Sequence, residues 1–183
     1  MPPVQLPTVP ALDDPQLQTF VDFLRFKAPV VPPKGVDPND YMEDLHVHQV
    51  PVAPEPGYQE LHCWYNCLDL QAKHGGEAIF GWALWNTEGQ YIAQHHAVWQ
   101  QPNGQFIDPT PNQSRTKSIL FMPDGRASFD LQGLRSPASL KWWANDDYCW
   151  AAGDLEKEHY FICNYELQES ISDWVQGIQK SCS

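Results

Sequence analysis

The sequence lacks any apolar run long enough to cross a membrane, because no window of about 18 apolar residues occurs in it. Its first stretch, Met1 to Pro7, also lacks the basic region and the apolar core of a Sec signal peptide. We therefore expect no membrane partner and a cytoplasmic protein. Delivery by a specialised secretion system stays open, because such a route leaves no signal in these residues.

Cysteine pairs of the kind that build a disulfide framework are also missing. The five cysteines form an odd and scattered set, at Cys63, Cys67, Cys149, Cys163 and Cys182. A reducing compartment is the default for such a chain. Gly-rich phosphate loops of the two common types are absent as well, so the sequence implies no organic cofactor.

Positive charge is scarce in this chain. It has 11 lysines and arginines against 23 aspartates and glutamates, which gives a formal net charge of -12 and a pI near 4.7. A field of this sign repels phosphate groups. We therefore expect no nucleic acid as a partner.

Apolar residues, in contrast, are plentiful enough for a folded domain. Of the 183 residues, 42% are hydrophobic and 13% aromatic, which is too apolar for disorder despite 17 prolines. We expect a Pro-rich flexible arm over residues 1–12 and a single α+β domain over residues 13–183. In that domain, helices would cover one face of an antiparallel sheet.

Apolar spacing and turn residues predict the individual elements. Asp14 and Pro15 open a first helix, with Asp14 as its cap, and a second helix runs from Leu61 to His74. Strands are predicted over 77–85, 90–99 and 105–108. Weaker patterns predict short strands over 45–50, 118–122 and 158–167, a helical segment within 138–152, and a last helix from Ser170.

Cys63 lies in the first turn of the second predicted helix. A cysteine is nucleophilic only as a thiolate, whereas a free thiol titrates at about pH 8.5. The positive end of a helix dipole and a neighbouring imidazole both favour the thiolate. Cys63 is placed for the first effect, while Cys67 lies one turn deeper in the same helix.

A histidine and a carboxylate follow Cys63 on two consecutive predicted strands. His95 and His96 project from opposite faces of the earlier strand, because alternate residues share a face. The pattern alone does not decide which face meets the helix. Asp108 ends the later strand, just before Pro109, where a carboxylate can hold an imidazole in its working tautomer.

This order of residues resembles papain-like enzymes of the transglutaminase type, in which a cysteine opens a helix and a His-Ala strand precedes a strand ending in Asp-Pro-Thr. The chain also resembles uncharacterised bacterial proteins that share Cys-x-x-Asn, Gly-Trp, His-Ala-Val-Trp and Asp-x-Thr-Pro motifs. The matching stretches are Cys63, Gly76 through Gly81-Trp82, His96-Ala97-Val98-Trp99 and Ile107-Asp108-Pro109-Thr110. The resemblance covers about residues 58–112 as a catalytic core and implies a papain/transglutaminase-like fold.

The resemblance also implies roles for individual residues. Cys63 would be the nucleophile, His96 the base and Asp108 the group that orients it, and His96 is preferred because it precedes an alanine. The implied reaction is acyl transfer from a carboxamide or peptide bond of a protein or peptide, as in a protease, deamidase or transglutaminase. Further candidates for oxyanion stabilisation or substrate binding are Gln59, Tyr58, Asn66, Trp82 and His95.

Two other functions are consistent with the residues. Imidazole and thiolate groups suit zinc, and the chain offers them at His46, His48, His62, Cys63, His95 and His96. The other function is a non-catalytic protein-binding module on the same fold, with the acidic, Trp-rich C-terminal half as its interface. A binding module predicts that Cys63→Ala leaves the biological effect intact.

Overall fold

A computed structural model describes residues 6–26, 45–87, 90–127, 135–137, 139–143, 148–151 and 160–162. These residues form two helices, α1 (Pro15–Phe26) and α2 (Cys63–His74). The strands are β1 (His48–Pro51), β2 (Glu77–Thr87), β3 (Gln90–Gln100), β4 (Phe106–Ile107), β5 (Ser118–Pro123), β6 (Arg135–Pro137), β7 (Leu140–Trp143), β8 (Tyr148–Ala151) and β9 (Tyr160–Ile162).

Seven of the described strands form one antiparallel sheet. Its order is β1-β5-β2-β3-β7-β8, and β4 pairs with the last residues of β3. The centre is the β2–β3 pair, because every residue of β2 has a partner in β3. The strands β6 and β9 pair with each other separately. The chain is therefore α+β with an antiparallel sheet, as its sequence predicts.

Both helices lie on the same face of the sheet. The apolar side of α1 packs against Trp82 and Tyr91, and Cys67 of α2 packs against Ala78 and Ala97. These β2 and β3 residues share a face because alternate residues of a strand point the same way. The opposite face carries a second apolar cluster, which contains Val50, Ala83, Trp85, Val98, Ile119 and Phe121. In the described part of the chain, no helix is long and apolar enough to span a membrane.

Gly81 allows β2 and β5 to approach each other closely. A Cβ atom at this position would lie 2.1 Å from the carbonyl oxygen of Met122 and 2.9 Å from the backbone nitrogen of Asp124. Any side chain there would therefore force the two strands apart. This close packing explains why the Gly-Trp pair has glycine at position 81.

The segment 138–152, predicted to be helical, instead contains the strands β7 and β8, which pair with each other. Leu140 and Trp142 are buried, and Lys141 between them is half-buried. A period of two and a high aromatic content both favour a strand, and the helical prediction was wrong because it gave them too little weight. The strand predicted over 158–167 is represented in the described residues by β9 (Tyr160–Ile162). The helix predicted from Ser170 lies outside the described residues.

Pro7 and Thr8 of the Pro-rich arm are bonded to the domain. Thr8 and Asn86 exchange backbone hydrogen bonds of 2.9 and 2.8 Å. The hydroxyl of Ser114 donates to the carbonyl of Pro7 at 2.7 Å. This part of the arm therefore makes hydrogen bonds with the domain.

Candidate active site

The helix α2 begins at Cys63, which is 5% exposed. His62, the residue before it, makes no capping hydrogen bond with its side chain. The positive end of the helix dipole is therefore directed at Cys63 without competition from a side chain at the cap.

His96 of β3 lies between Cys63 and Asp108. Its Nε2 is 2.9 Å from Oδ2 of Asp108, which leaves Nδ1 for the thiol. Burial by itself lowers the pKa of His96, but the charges of Asp108 and Cys63 and hydrogen bonds to both raise this pKa well above its ordinary value. His96 is therefore a stronger base than a free imidazole.

Asp108 directly follows β4 and is held by its own backbone and by the loop after it. Its N–H donates to the carbonyl of Pro51 at 3.0 Å, and its carbonyl accepts from the N–H of Ala53 at 2.9 Å. The N–H of Thr110 donates to Oδ1 at 2.9 Å. One carboxylate oxygen is thus anchored to the main chain, and the other is left for His96.

Asn66 connects the helix of Cys63 to the loop that holds Asp108. Its amide nitrogen donates to the hydroxyl of Thr110 at 3.0 Å and to the carbonyl of Gln59 at 3.2 Å. Asn66 and Thr110 are both buried. Sequence reasoning proposed Asn66 for oxyanion stabilisation or substrate binding and gave Thr110 no role. The spacing Asp-x-Thr could have indicated a role for Thr110. An aspartate side chain often accepts a hydrogen bond from the backbone N–H two residues later, as Asp108 does from Thr110.

His95 lies on the opposite face of β3, away from Asp108. Its Nδ1 accepts a hydrogen bond from Nε1 of Trp64 at 3.0 Å, and its Nε2 contacts the carbonyl of Ala127. Phe80 and Trp82 surround the ring. Burial lowers the pKa of His95 to about 3, although the Ala127 carbonyl opposes this shift. His95 is therefore a neutral core histidine.

Tyr58 and Trp82 were two further candidates from the sequence. Their side chains bind carboxylates outside the cavity beside Cys63. The hydroxyl of Tyr58 donates to Oδ2 of Asp69 at 2.6 Å, and burial together with this carboxylate raises the pKa of Tyr58. The indole of Trp82 donates to Oδ2 of the buried Asp124 at 2.9 Å. The side chain of Gln59 is exposed. None of these three residues lines the cavity beside Cys63.

Cys67 is fully buried one turn after Cys63. Burial raises the pKa of its thiol well above the ordinary value, and the nearby charges of Cys63 and Asp108 act in the same direction. Cys67 is therefore an inert packing residue, which gives Cys63 a natural control.

A cavity of about 410 Å³ adjoins Cys63, His96 and Asp108. Its walls combine apolar side chains (Trp64, Trp85 and Pro137), uncharged polar side chains (Gln94 and Ser136) and the acidic Glu60. Gln94 was missed by the sequence reasoning, although it lies two residues before His96 and so shares its face of β3.

A metal site does not form among the described residues, because no three of their His, Cys, Asp and Glu side chains are placed to hold one ion. His46 is exposed and His48 packs edge-on against Phe106. His95 and His96 are directed to opposite faces of the sheet. The zinc hypothesis therefore lacks a ligand set in this part of the chain.

Comparisons with protein-family models, with curated proteins and with solved structures find no match for this chain. The chemistry of the site is therefore inferred from its own geometry.

Proposed function

We propose that this chain is a cysteine-dependent acyl-transfer enzyme with a papain/transglutaminase-like core. Cys63 is the nucleophile, His96 the base and Asp108 the group that orients His96. The observation that carries the proposal is the grouping of Cys63, His96 and Asp108 around one cavity, with Nε2 of His96 2.9 Å from Oδ2 of Asp108 and the pKa of His96 raised by both neighbours. The substrate is a carboxamide or a peptide bond of a protein or peptide.

The reaction proceeds in two halves. The thiol proton goes to Nδ1 of His96, and the sulfur of Cys63 attacks the carbonyl carbon to form a C–S bond. The C–N bond breaks as His96 returns a proton to the departing nitrogen, leaving a thioester. Water or an amine then gives a proton to His96 and attacks the thioester, the C–S bond breaks, and the thiol is restored.

Asp108 supports both halves without exchanging a proton itself. Its Oδ2 accepts from Nε2–H of His96, which keeps Nδ1 directed at the thiol and stabilises the imidazolium. The N–H of Cys63, at the first position of α2, has no partner within the helix. This donor, with Gln94 across the cavity, would stabilise the oxyanion of the tetrahedral intermediate.

Alkylation by iodoacetamide from about pH 4 to about pH 9, with mass spectrometry to locate the label, tests the proposal. We expect Cys63 to react fastest of the five cysteines, to remain reactive below pH 7, and to become sluggish in His96→Ala. Cys67→Ala is the matched control, because it removes a thiol one turn away that the mechanism does not use. Reaction of Cys63 at the rate of a free thiol, or first reaction at another cysteine, contradicts the proposal.

Product analysis separates the possible acyl acceptors. Ammonia release from a glutamine-containing peptide indicates deamidation, a new N-terminus indicates peptide hydrolysis, and incorporation of a labelled amine indicates transamidation. Each product must disappear in Cys63→Ala. If Cys63→Ala keeps the biological effect and the native protein forms none of these products, the chain is a binding module.

A further inference from the structure

Two consecutive residues of α2 meet two consecutive histidines of β3. Cys63 acts on His96 by its charge and by a hydrogen bond, and Nε1 of Trp64 donates to Nδ1 of His95 at 3.0 Å. Because the two histidines face opposite sides of β3, the first turn of α2 contacts side chains from both faces of this strand. The strand itself is held firmly, since it pairs with β2 along its whole length.

The first turn of α2 lacks the local devices that usually stabilise a helix start. His62 gives it no side-chain cap, and no acidic residue lies in the turn to complement the helix dipole. The first N–H groups of a helix have no partner within it, and helix ends fray. Cys63 thus lies at an end of α2 that depends on tertiary contacts. Asn66 supplies one such contact, and Trp64 supplies another.

The hydrogen bonds of His95 determine its tautomer and its orientation. An indole N–H can only donate, so Nδ1 of His95 is an acceptor and Nε2 carries the proton, which is donated to the carbonyl of Ala127. The ring of Phe80 lies nearly parallel to the imidazole at 6.2 Å, and the ring of Trp82 meets it edge-on at 5.9 Å. His95 therefore presents a fixed acceptor to Trp64.

The carbonyl that accepts the imidazole proton is fixed by a buried ion pair. The N–H of Ala127 donates to the carbonyl of Asp124 at 2.9 Å, and the carboxylate of Asp124 binds the guanidinium of Arg126 at 2.9 Å. Arg126 also donates to the carbonyls of Leu24 and Arg25, near the end of α1, both at 3.0 Å. The support behind the imidazole thus extends to the end of α1.

We propose that His95 is a positioning residue, which holds the nucleophile Cys63 against the base through its bond to Trp64. This inference rests on the proposed function. Trp64 adjoins the nucleophile and His95 adjoins the base, so their hydrogen bond sets the separation of the two reacting groups. A misplacement of about 1 Å between reacting groups can reduce a rate by a factor of about a hundred.

A matched pair of variants tests this role through the alkylation of Cys63 by iodoacetamide. The side chains of His95→Leu and His95→Asn have nearly the same shape, but only asparagine offers an acceptor oxygen near the position of Nδ1. We expect His95→Leu to slow alkylation at neutral pH by roughly fivefold to tenfold, the equivalent of one lost hydrogen bond. His95→Asn should keep most of the native rate.

The control for these variants lies at the other end of the same helix. His74 is exposed, and its ring contacts that of Trp99. His74→Leu therefore also removes a histidine from a tryptophan contact of α2, but far from Cys63. It should leave the alkylation rate unchanged.

The pKa of His96 separates positioning from a general loss of stability. The charge of Cys63 and the hydrogen bond to it both raise this pKa, so a displaced sulfur should lower it in His95→Leu. His95→Asn should restore it. NMR titration measures the pKa in the folded protein, and a smaller free energy of unfolding would not change it.

Trp64→Phe tests the same bond from its other side and does not depend on the folding of His95→Leu. It removes the donor and should slow alkylation to a similar extent. The double variant Trp64→Phe/His95→Leu should be about as slow as the slower single variant, because the two changes remove one bond.

Equal alkylation rates in His95→Leu and His95→Asn would overturn the positioning role. Effects that multiply in the double variant, or an unchanged pKa of His96 in His95→Leu, would overturn it too. If native Cys63 reacts fast and depends on His96, such a result removes only the role of His95. If native Cys63 reacts like a free thiol, the proposed function itself fails.

Discussion

His95 and His96 are adjacent in the chain, yet they face opposite sides of β3 and their pKa values are shifted in opposite directions. His96 is bound to a buried carboxylate, and its pKa is raised. His95 is surrounded by aromatic rings, and its pKa falls to about 3. The same side chain is thus a strengthened base beside a carboxylate at one position and a neutral part of the core at the next.

The lowered pKa of His95 predicts a loss of stability in acid. The folded protein keeps His95 neutral down to about pH 3, whereas an unfolded chain protonates it near its ordinary value of 6.5. The contribution of His95 is therefore complete above pH 6.5 and declines as the pH falls toward 3, by about 1.4 kcal/mol for each pH unit. Urea unfolding at a series of pH values measures this slope.

His95→Phe should remove this part of the slope, although it also costs the two hydrogen bonds of the ring. The exposed His74 supplies the control, because His74→Gln should leave the acid slope as it is in the native protein. An unchanged slope in His95→Phe would show that other groups cause the acid sensitivity.

Asp108→Asn should impair the site while leaving the fold in place. The variant keeps the shape of the side chain but removes the charge that raises the pKa of His96, so this pKa should fall and His96 should lose its proton at a lower pH. We expect the reactivity of Cys63 at neutral pH to drop roughly a hundredfold or more. NMR titration of His96 and the alkylation rate of Cys63 measure the two effects.

The exposed Asp22 provides a comparison for this variant. Asp22→Asn removes an equal charge far from the cavity and should change neither measurement. If Asp108→Asn leaves the pKa of His96 high, Asp108 is not the group that holds its proton.

Thr110 should act as a positioning residue through Asp108. Thr110→Val keeps the size of the side chain but removes the hydroxyl that accepts from Asn66, which leaves a buried amide without this partner. We expect the alkylation of Cys63 to slow by roughly fivefold, the equivalent of one lost hydrogen bond. Thr110→Ser, which keeps the hydroxyl, should restore most of the rate, and failure of this rescue would show that the methyl group matters instead.

Two tryptophans of β2 should differ in their cost of replacement. Nε1 of Trp82 donates to Asp124, whereas the buried Nε1 of Trp85 has no partner among the described residues. Trp82→Phe should therefore destabilise the protein by about 1–3 kcal/mol more than Trp85→Phe, since both changes lose the same ring volume. Chemical unfolding measures the difference, and equal costs would assign the Trp82 hydrogen bond no net value.

The centre of the fold was predictable from sequence because its signals are local. The strands expected over 77–85 and 90–99 extend in the structure to 77–87 and 90–100, since alternating apolar residues and turn residues determine both. The helix carrying Cys63 begins two residues later than the predicted Leu61. The backbone at Leu61 has a positive φ, which apolar spacing does not reveal.

The surroundings of the site were harder to predict because they depend on distant contacts. The wall near Ser139 and the aromatic environment of His95 come from segments far apart in the chain. The contact of Asn66 with Thr110 joins residues separated by 44 positions. Such contacts follow from strand order, and a pattern within one segment carries no information about it.

The uninterrupted pairing of β2 with β3 limits how the length of this chain can change in evolution. A shift of β3 by one residue would exchange the two faces and bring His95 to Asp108 in place of His96. Natural selection should therefore remove insertions or deletions of a single residue between β2 and β3. Changes of two residues keep each side chain of β3 on its present face of the sheet. The chemistry of the site therefore constrains the length of the connection between β2 and β3 as well as the residues that carry it out.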